Sequence, residues 1–239
     1  MVRLLLILFL LGSCALQSRK DQNKLREHFV KQEFVQAEKY LESSSLKSED
    51  NQLLYLMDKG TLAFYQNRYH KAAKVFVEAN ELVDQLYTKS VRKMIASSII
   101  NDNSQVFYGS LFERSMLYYY QAMSFYRLAE TGFYYQEKQV DGKVQLIKTE
   151  LSDAQIQTNT NRVRSTLIAW NSFYQEMKRL GAKTFLVDDF SARYFAATMH
   201  EVLGTKRDKE IALILYREAL NSFQLYAPTY KVFNINYKE

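Results

Sequence analysis

Apolar residues recur at steps of three and four along most of this chain, most clearly between Leu53 and Ala79. Leu53, Leu56, Gly60, Ala63 and Phe64 share one face of a helix, because side chains three and four apart lie one above the other. Gln66-Asn67-Arg68 interrupts the pattern, and Tyr69, Ala72, Phe76 and Ala79 resume it on a second helix. The spacing predicts two antiparallel helices joined by a tight turn. Gly60, Ala72 and Ala79 let the two axes approach closely, while Tyr69 and Phe76 fill the space beside them.

The theme returns on either side. Leu25, His28 and Phe29 fall on one helix, and Phe34, Ala37 and Leu41 on the next, echoing Tyr69, Ala72 and Phe76. Ser43-Ser44-Ser45 closes that pair, and Ser48 or Asp50 is placed to cap the following helix through a side-chain oxygen. Past Ala79 the pattern continues through Leu82, Leu86, Met94 and Ile99, until the turn-forming run Asn101-Asp102-Asn103-Ser104 breaks it. Gln105 to Ala129 reads as a long helix. Phe107, Leu111, Tyr118, Ala122, Phe125 and Ala129 mark one face, widened by Leu117, Tyr120 and Leu128, so it should contact neighbours on two sides. Gly132 ends it.

Residues 134–148 are the one β-like stretch. Asp141-Gly142 between Val140 and Val144 signals a small hairpin, with an extended loop as the alternative. Leu151 to Asn161 is open between loop and helix start. Val163, Leu167, Trp170, Tyr174, Met177 and Gly181 then form one narrow seam. Asp188-Asp189 suits a helix start, where the positive dipole end favours acids. Phe190, Tyr194, Ala197 and Glu201 follow along one side of that helix, and Gly204 to Lys209 makes a turn. Ala212, Tyr216, Ala219 and Phe223 repeat the small–aromatic–small order of the central pair. Pro228 is expected to end helix formation, leaving residues 225–239 as an extended aromatic tail.

Composition agrees with this pattern. One Pro and seven Gly in 239 residues leave little punctuation, so the fold class is all-α. The length suits one domain or one short array. Abundant Tyr and Phe suit the thin layers between stacked helix pairs.

The spacing of Gly60, Tyr69, Ala72, Phe76 and Ala79 resembles a tetratricopeptide repeat. The chain departs from that family where Leu56 stands for a Trp, Lys59 for a Leu and Ala63 for a Tyr, and where no Pro follows the second helix. An ordinary helical hairpin with a small-residue interface has the same spacing. The resemblance implies a helical repeat array, an α-solenoid, over residues 24–224, with the small hairpin or loop inserted near 134–148. Repeat packing then rests on Gly60, Tyr69, Ala72, Phe76 and Ala79, and again on Ala212, Tyr216 and Ala219.

The start of the chain carries an address. Met1-Val2-Arg3 is followed by an apolar run, Leu4 to Leu11, far shorter than the ~20 residues that span a bilayer. Leu11-Gly12-Ser13-Cys14 resembles the lipobox of bacterial lipoproteins. The resemblance implies that residues 1–13 are a signal peptide removed by signal peptidase II. It also implies that Cys14 carries a diacylglyceryl group and an acylated amino terminus. Cysteine is required because a thiolate forms the thioether. Acyl burial contributes ~0.8 kcal/mol per CH₂, so two or three chains hold durably. Ala15, rather than Asp, follows Cys14, which by the same resemblance points to the outer membrane facing the periplasm rather than the inner membrane. An ordinary signal peptide with a cysteine near its cleavage site is the alternative. Residues 14–23 read as a polar tether reaching at most ~30 Å at ~3.3 Å per residue.

Charge and chemistry narrow the function by exclusion. The net charge is +6, dispersed along helices without a basic run interleaved with aromatics, which argues against a nucleic-acid partner. With one cysteine, no intrachain disulfide is possible. His200-Glu201 lacks a second His at helical spacing, and His28, His70 and His200 are scattered. Neither a Gly-rich phosphate loop nor a Gly-x-Ser-x-Gly elbow occurs. Asp188-Asp189 suits a helix start better than a pair of glycosidase acids. No catalytic residue, metal or cofactor is therefore assigned. Met57, Thr61, Tyr65, Tyr119 and Met123 turn away from the packing seams and form the candidate partner groove. The reading is a non-enzymatic binding or assembly lipoprotein of the cell envelope, held to the bilayer by acylated Cys14 and binding a protein or peptide. The alternatives are a module carrying a glycan or apolar molecule in an aromatic groove, and a cell-wall processing enzyme.

Overall fold

The computed structural model describes residues 18–96, 109–140, 143–179 and 189–230. The lipobox, Cys14 and the Asp141-Gly142 turn lie outside these residues. The fold is mostly helical, with one small antiparallel sheet. The chain divides into two compact units, residues 1–159 and 160–239.

In the first unit, helix α1 covers residues 18–30. It is followed by α2 (Phe34–Ser43), α3 (Gln52–Tyr65), α4 (Tyr69–Ala96) and α5 (Leu111–Thr131). The tether expected over residues 14–23 is overturned from residue 18 onward, where the chain is already helical. The reason is Asp21, a polar residue that is buried because it is fully bonded. It accepts hydrogen bonds from the Tyr40 hydroxyl at 2.6 Å, the Ser45 amide at 2.8 Å and the Ser45 hydroxyl at 2.6 Å. That bond, with burial, pushes the Tyr40 phenol up to about 12.

The turns α1–α2 and α3–α4 share one hydrogen-bond pattern, 35 positions apart (residue 32 to residue 67). Gln32 N and Asn67 N donate to Phe29 O and Phe64 O, and Glu33 N and Arg68 N to His28 O and Ala63 O. Gln32 and Asn67 take left-handed φ values of 60° and 59°, the conformation that ends a helix by returning amides to its last free carbonyls. Neither Ser48 nor Asp50 caps α3. Two short 3₁₀ turns, Ser45–Lys47 and Glu49–Asn51, lead into it, and Asn51 holds the cap position with its side chain bonded back to Ser48 rather than to a helix amide.

The core of this unit lies among α2, α3, α4 and α5. Leu41, Leu46, Leu53, Leu56, Ala63, Ala72, Phe76, Ala79 and Leu117 are all buried. Each large apolar side chain so buried contributes ~1.5–3 kcal/mol. A β-carbon on Gly60 would lie 2.7 Å from Cζ of Phe76, so glycine is what allows the ring to enter. Helix α5 begins at Leu111, later than the Gln105 start expected. Gly109 takes φ 73° ahead of it, and Ser110 and Glu113 form a reciprocal capping box. Gly132, at φ 71°, ends it as expected.

Strands β1 (Phe133–Val140) and β2 (Lys143–Glu150) pair antiparallel, from Phe133↔Glu150 to Val140↔Lys143. An isolated two-stranded hairpin is marginal in water. This one is held at its base, where Tyr134 stacks on His70 of α4 at 4.0 Å and the Leu151 amide donates to Gly132 O at 2.8 Å. Helix α6 (Asp153–Arg179) supplies its first residues to this unit and the remainder to the second.

The second unit contains that remainder, α7 (Phe190–Leu203) and α8 (Lys206–Tyr230). Val163, Leu167, Trp170, Tyr174 and Met177 of α6 are all buried, as their seam requires. Asp189 caps α7, accepting from the Ser191 amide at 2.9 Å. Of the residues placed along one side of α7, Ala197 is buried, whereas Tyr194 is 52% exposed and Glu201 is exposed; Ala192, Ala196, Met199 and His200 are buried with Ala197. On α8, Ala212 and Ala219 are buried and Tyr216 is partly so. Helix α8 runs through Pro228 to Tyr230, so residues 225–230 belong to a helix rather than an extended tail. Proline removes one N–H from the last turn, but its fixed φ of about −65° is itself helical.

Candidate aromatic partner surface

Three helices of the first unit each contribute a ring to one row. Phe29 of α1 meets Tyr65 of α3 edge-on at 5.0 Å, and Tyr65 faces Tyr120 of α5 at 6.4 Å. Phe34 stacks on Tyr65 at 5.8 Å and meets Phe29 edge-on at 5.4 Å. Tyr65 is the open member, 44% exposed. Tyr120 is anchored below: its ring lies parallel to Phe76 at 5.6 Å, and its hydroxyl is 3.4 Å from that of Tyr65. Burial, then the Tyr65 hydroxyl, holds the Tyr120 phenol well above its ordinary value. Tyr119 sits edge-on to Tyr120 at 5.1 Å, and its phenol is also raised, by burial first and Tyr65 second.

Of the five groove residues expected, the structure brings Tyr65 and Tyr119 onto this row through Tyr120. Thr61 and Met123 are partly buried. Met57, expected to turn away from the packing seam, is partly buried and packs against the hydrophobic core instead. The sequence reading placed Tyr120 only on a packing face, and it left Phe29 and Phe34 out of any surface. A phase argument along one helix does not show which rings meet across three.

Ionic contacts tie α2 to the α3–α4 turn and to α4. Glu38 of α2 accepts from Lys71 at 2.6 Å and pairs with Arg68. Burial raises its carboxyl, and the bonds from Lys71 and Arg68 outweigh that to leave it lowered. Among the described residues no group of three or more His, Cys, Asp or Glu side chains is placed to hold a metal ion. No described helix is long and apolar enough to cross a membrane.

No family model, curated protein or solved structure matches this chain.

The second unit holds a polar node that the sequence reading missed. Asp208, 2% exposed, accepts two bonds from Arg164 (3.0 Å from Nε and 2.7 Å from Nη2) and one from the Thr205 hydroxyl at 2.6 Å. Nδ1 of His200 lies 3.0 Å from its Oδ1. The Asp208 amide in turn donates to the Thr205 hydroxyl at 3.1 Å, closing a cap on α8. Arg164 first, with Thr205 and His200 adding to it, holds the Asp208 carboxyl far below the usual carboxylate range. Thr205-x-x-Asp208 was the available signal, a capping-box spacing. Arg164, 44 positions earlier, was not visible from it.

Proposed function

We propose that this chain is a lipid-anchored, non-enzymatic adaptor of a bacterial envelope, whose tetratricopeptide-like helix pairs hold a protein or peptide partner. The aromatic row from Phe29 through Tyr65 to Tyr120 carries the reading. Rigid tyrosine rings offer wide contact area at little entropic cost, and their hydroxyls suit a backbone that is part apolar and part polar. The repeated turn also supports it, because a displacement of 35 positions is close to the ~34-residue period of that repeat family. On this reading α1–α2 and α3–α4 are successive repeats and α7–α8 is a third, with a different turn through Gly204. The lipobox resemblance supplies the anchor at Cys14, and Ala15 the outer-membrane, periplasm-facing placement.

The test is affinity capture from crosslinked membranes, comparing the unaltered chain with Tyr65→Ala and Tyr119→Ala. Both variants are checked for folding by far-UV circular dichroism. The expected outcome is a reproducible partner whose recovery falls about tenfold in Tyr65→Ala, the scale of one interface anchor. Recovery by both variants equal to that of the unaltered chain would remove the row from the interface.

A further inference from the structure

The second unit contains a pocket of ≈140 Å³ between α6, α7 and α8. Its walls are mainly apolar: Leu167, Trp170 and Tyr174 from α6, Ala196 from α7 and Leu215 from α8. The small side chain at Ala196 leaves the space. Into this wall comes one imidazole, His200, 4% exposed.

The orientation of that ring is fixed. An ionised carboxylate has no proton to give, so the 3.0 Å contact from His200 Nδ1 to Asp208 is an N–H donating to oxygen. Asp208 is itself held by Arg164 and Thr205 and does not turn away. Whenever the ring holds a single proton, that proton is on Nδ1 and the lone pair is on Nε2. Nε2 has no hydrogen-bond partner among the described residues. The pocket therefore combines a mainly apolar lining with a ring nitrogen fixed in place, and Asn171 adds a neutral amide to its wall. Arg193, the cation in the wall, is paired with Glu218, which leaves no spare charge for an ionic ligand.

Size and polarity define the guest. A dry apolar cavity of about 150 Å³ admits benzene. We propose that this pocket binds a small, neutral, flat molecule of one ring, presenting one hydroxyl or N–H donor to Nε2 of His200. The site lies in the other unit from the aromatic row and stands whether or not that row binds a partner.

The experiment titrates the full chain with phenol and, separately, with toluene, which has the same shape without the donor. The readouts are the indole N–H resonance of Trp170, the chain's one tryptophan, and the thermal midpoint. Saturable binding of phenol is expected with Kd on the order of 1 mM, from seven heavy atoms at ordinary ligand efficiency. Toluene should bind about 2- to 10-fold more weakly, the effect of one net hydrogen bond. His200→Phe should abolish that preference while keeping toluene binding. Ala196→Leu, which fills the space without touching the polar node, should remove both ligands. Should His200→Phe not fold, Ala196→Leu and the phenol–toluene ratio decide. Equal affinity for the two probes, a response that never saturates, or unchanged binding in Ala196→Leu would each overturn the proposal.

Discussion

The ring of Phe76 is 1% exposed, and its Cζ and Cε1 would lie 2.7 and 2.8 Å from a β-carbon at residue 60. It has no room to swing aside, because Tyr120 lies parallel to it at 5.6 Å. Gly60→Ala thus sets two effects against each other. Alanine gains ~1 kcal/mol of helix propensity over glycine, whereas forcing a methyl group into a packed core costs ~1–3 kcal/mol. The overlap should win, giving a net loss of up to about 2 kcal/mol in urea denaturation. Phe76→Leu alone leaves a cavity, yet in combination with Gly60→Ala it should cost less than the sum of the two, which a double-mutant cycle measures. Asp58 is the residue where pH acts. Burial, then the charge of Glu113, pushes its carboxyl from 3.8 up to about 7. A raised folded-state value means that its contribution to stability is complete below 3.8 and is lost as pH rises through 7. Asn at this position stays neutral. Asp58→Asn should match the unaltered protein near pH 4 and exceed it by about 1–3 kcal/mol at pH 8, less than the full shift because Asp58 keeps some contact with solvent. A stability difference that stays flat with pH would contradict this assignment.

Turns and caps account for what the elements do beyond propensity. Gln32 and Asn67 occupy the same left-handed position, but asparagine tolerates it better than glutamine. Gln32→Gly should stabilise the first unit by about 1 kcal/mol, read from its denaturation midpoint. The α3–α4 pair was legible because glycine and alanine recurring with aromatics specify a close crossing and little else. The start of α5 was legible in Ser110-x-x-Glu113 but was masked by the apolar rhythm running through it. The hairpin was legible from the Asp141-Gly142 signal, although its pairing runs from Phe133 to Glu150, beyond the 134–148 expected. The buried face of α7 was legible only at Ala197. It consists of alanines, a methionine and a histidine, and the conspicuous aromatic Tyr194 lies outside. Small residues and a bonded histidine carry no hydrophobic signal strong enough to outvote a tyrosine.

At the scale of the molecule, one domain or short array was expected from length, whereas the chain forms two compact units that divide within α6. Periodicity reads faces, and a continuous helix hides a boundary between the cores it serves. The same locality explains why the aromatic row and the Asp208 node escaped notice: both join residues from several helices, as Phe29 does to Tyr65 and Arg164 to Asp208. The proposed anchor makes its own prediction. Cys14→Ser should abolish labelling by radioactive palmitate and release the protein from the membrane fraction. Persistent labelling would reject the lipoprotein assignment. The position of Trp170 has an optical consequence. Emission excited at the red edge comes from the second unit alone, while the Phe76–Tyr120 half stays dark, although both halves contribute to the helical ellipticity. Denaturation followed by the two signals therefore compares one half of the chain with the whole, and curves that separate would show two melting transitions without any label being introduced.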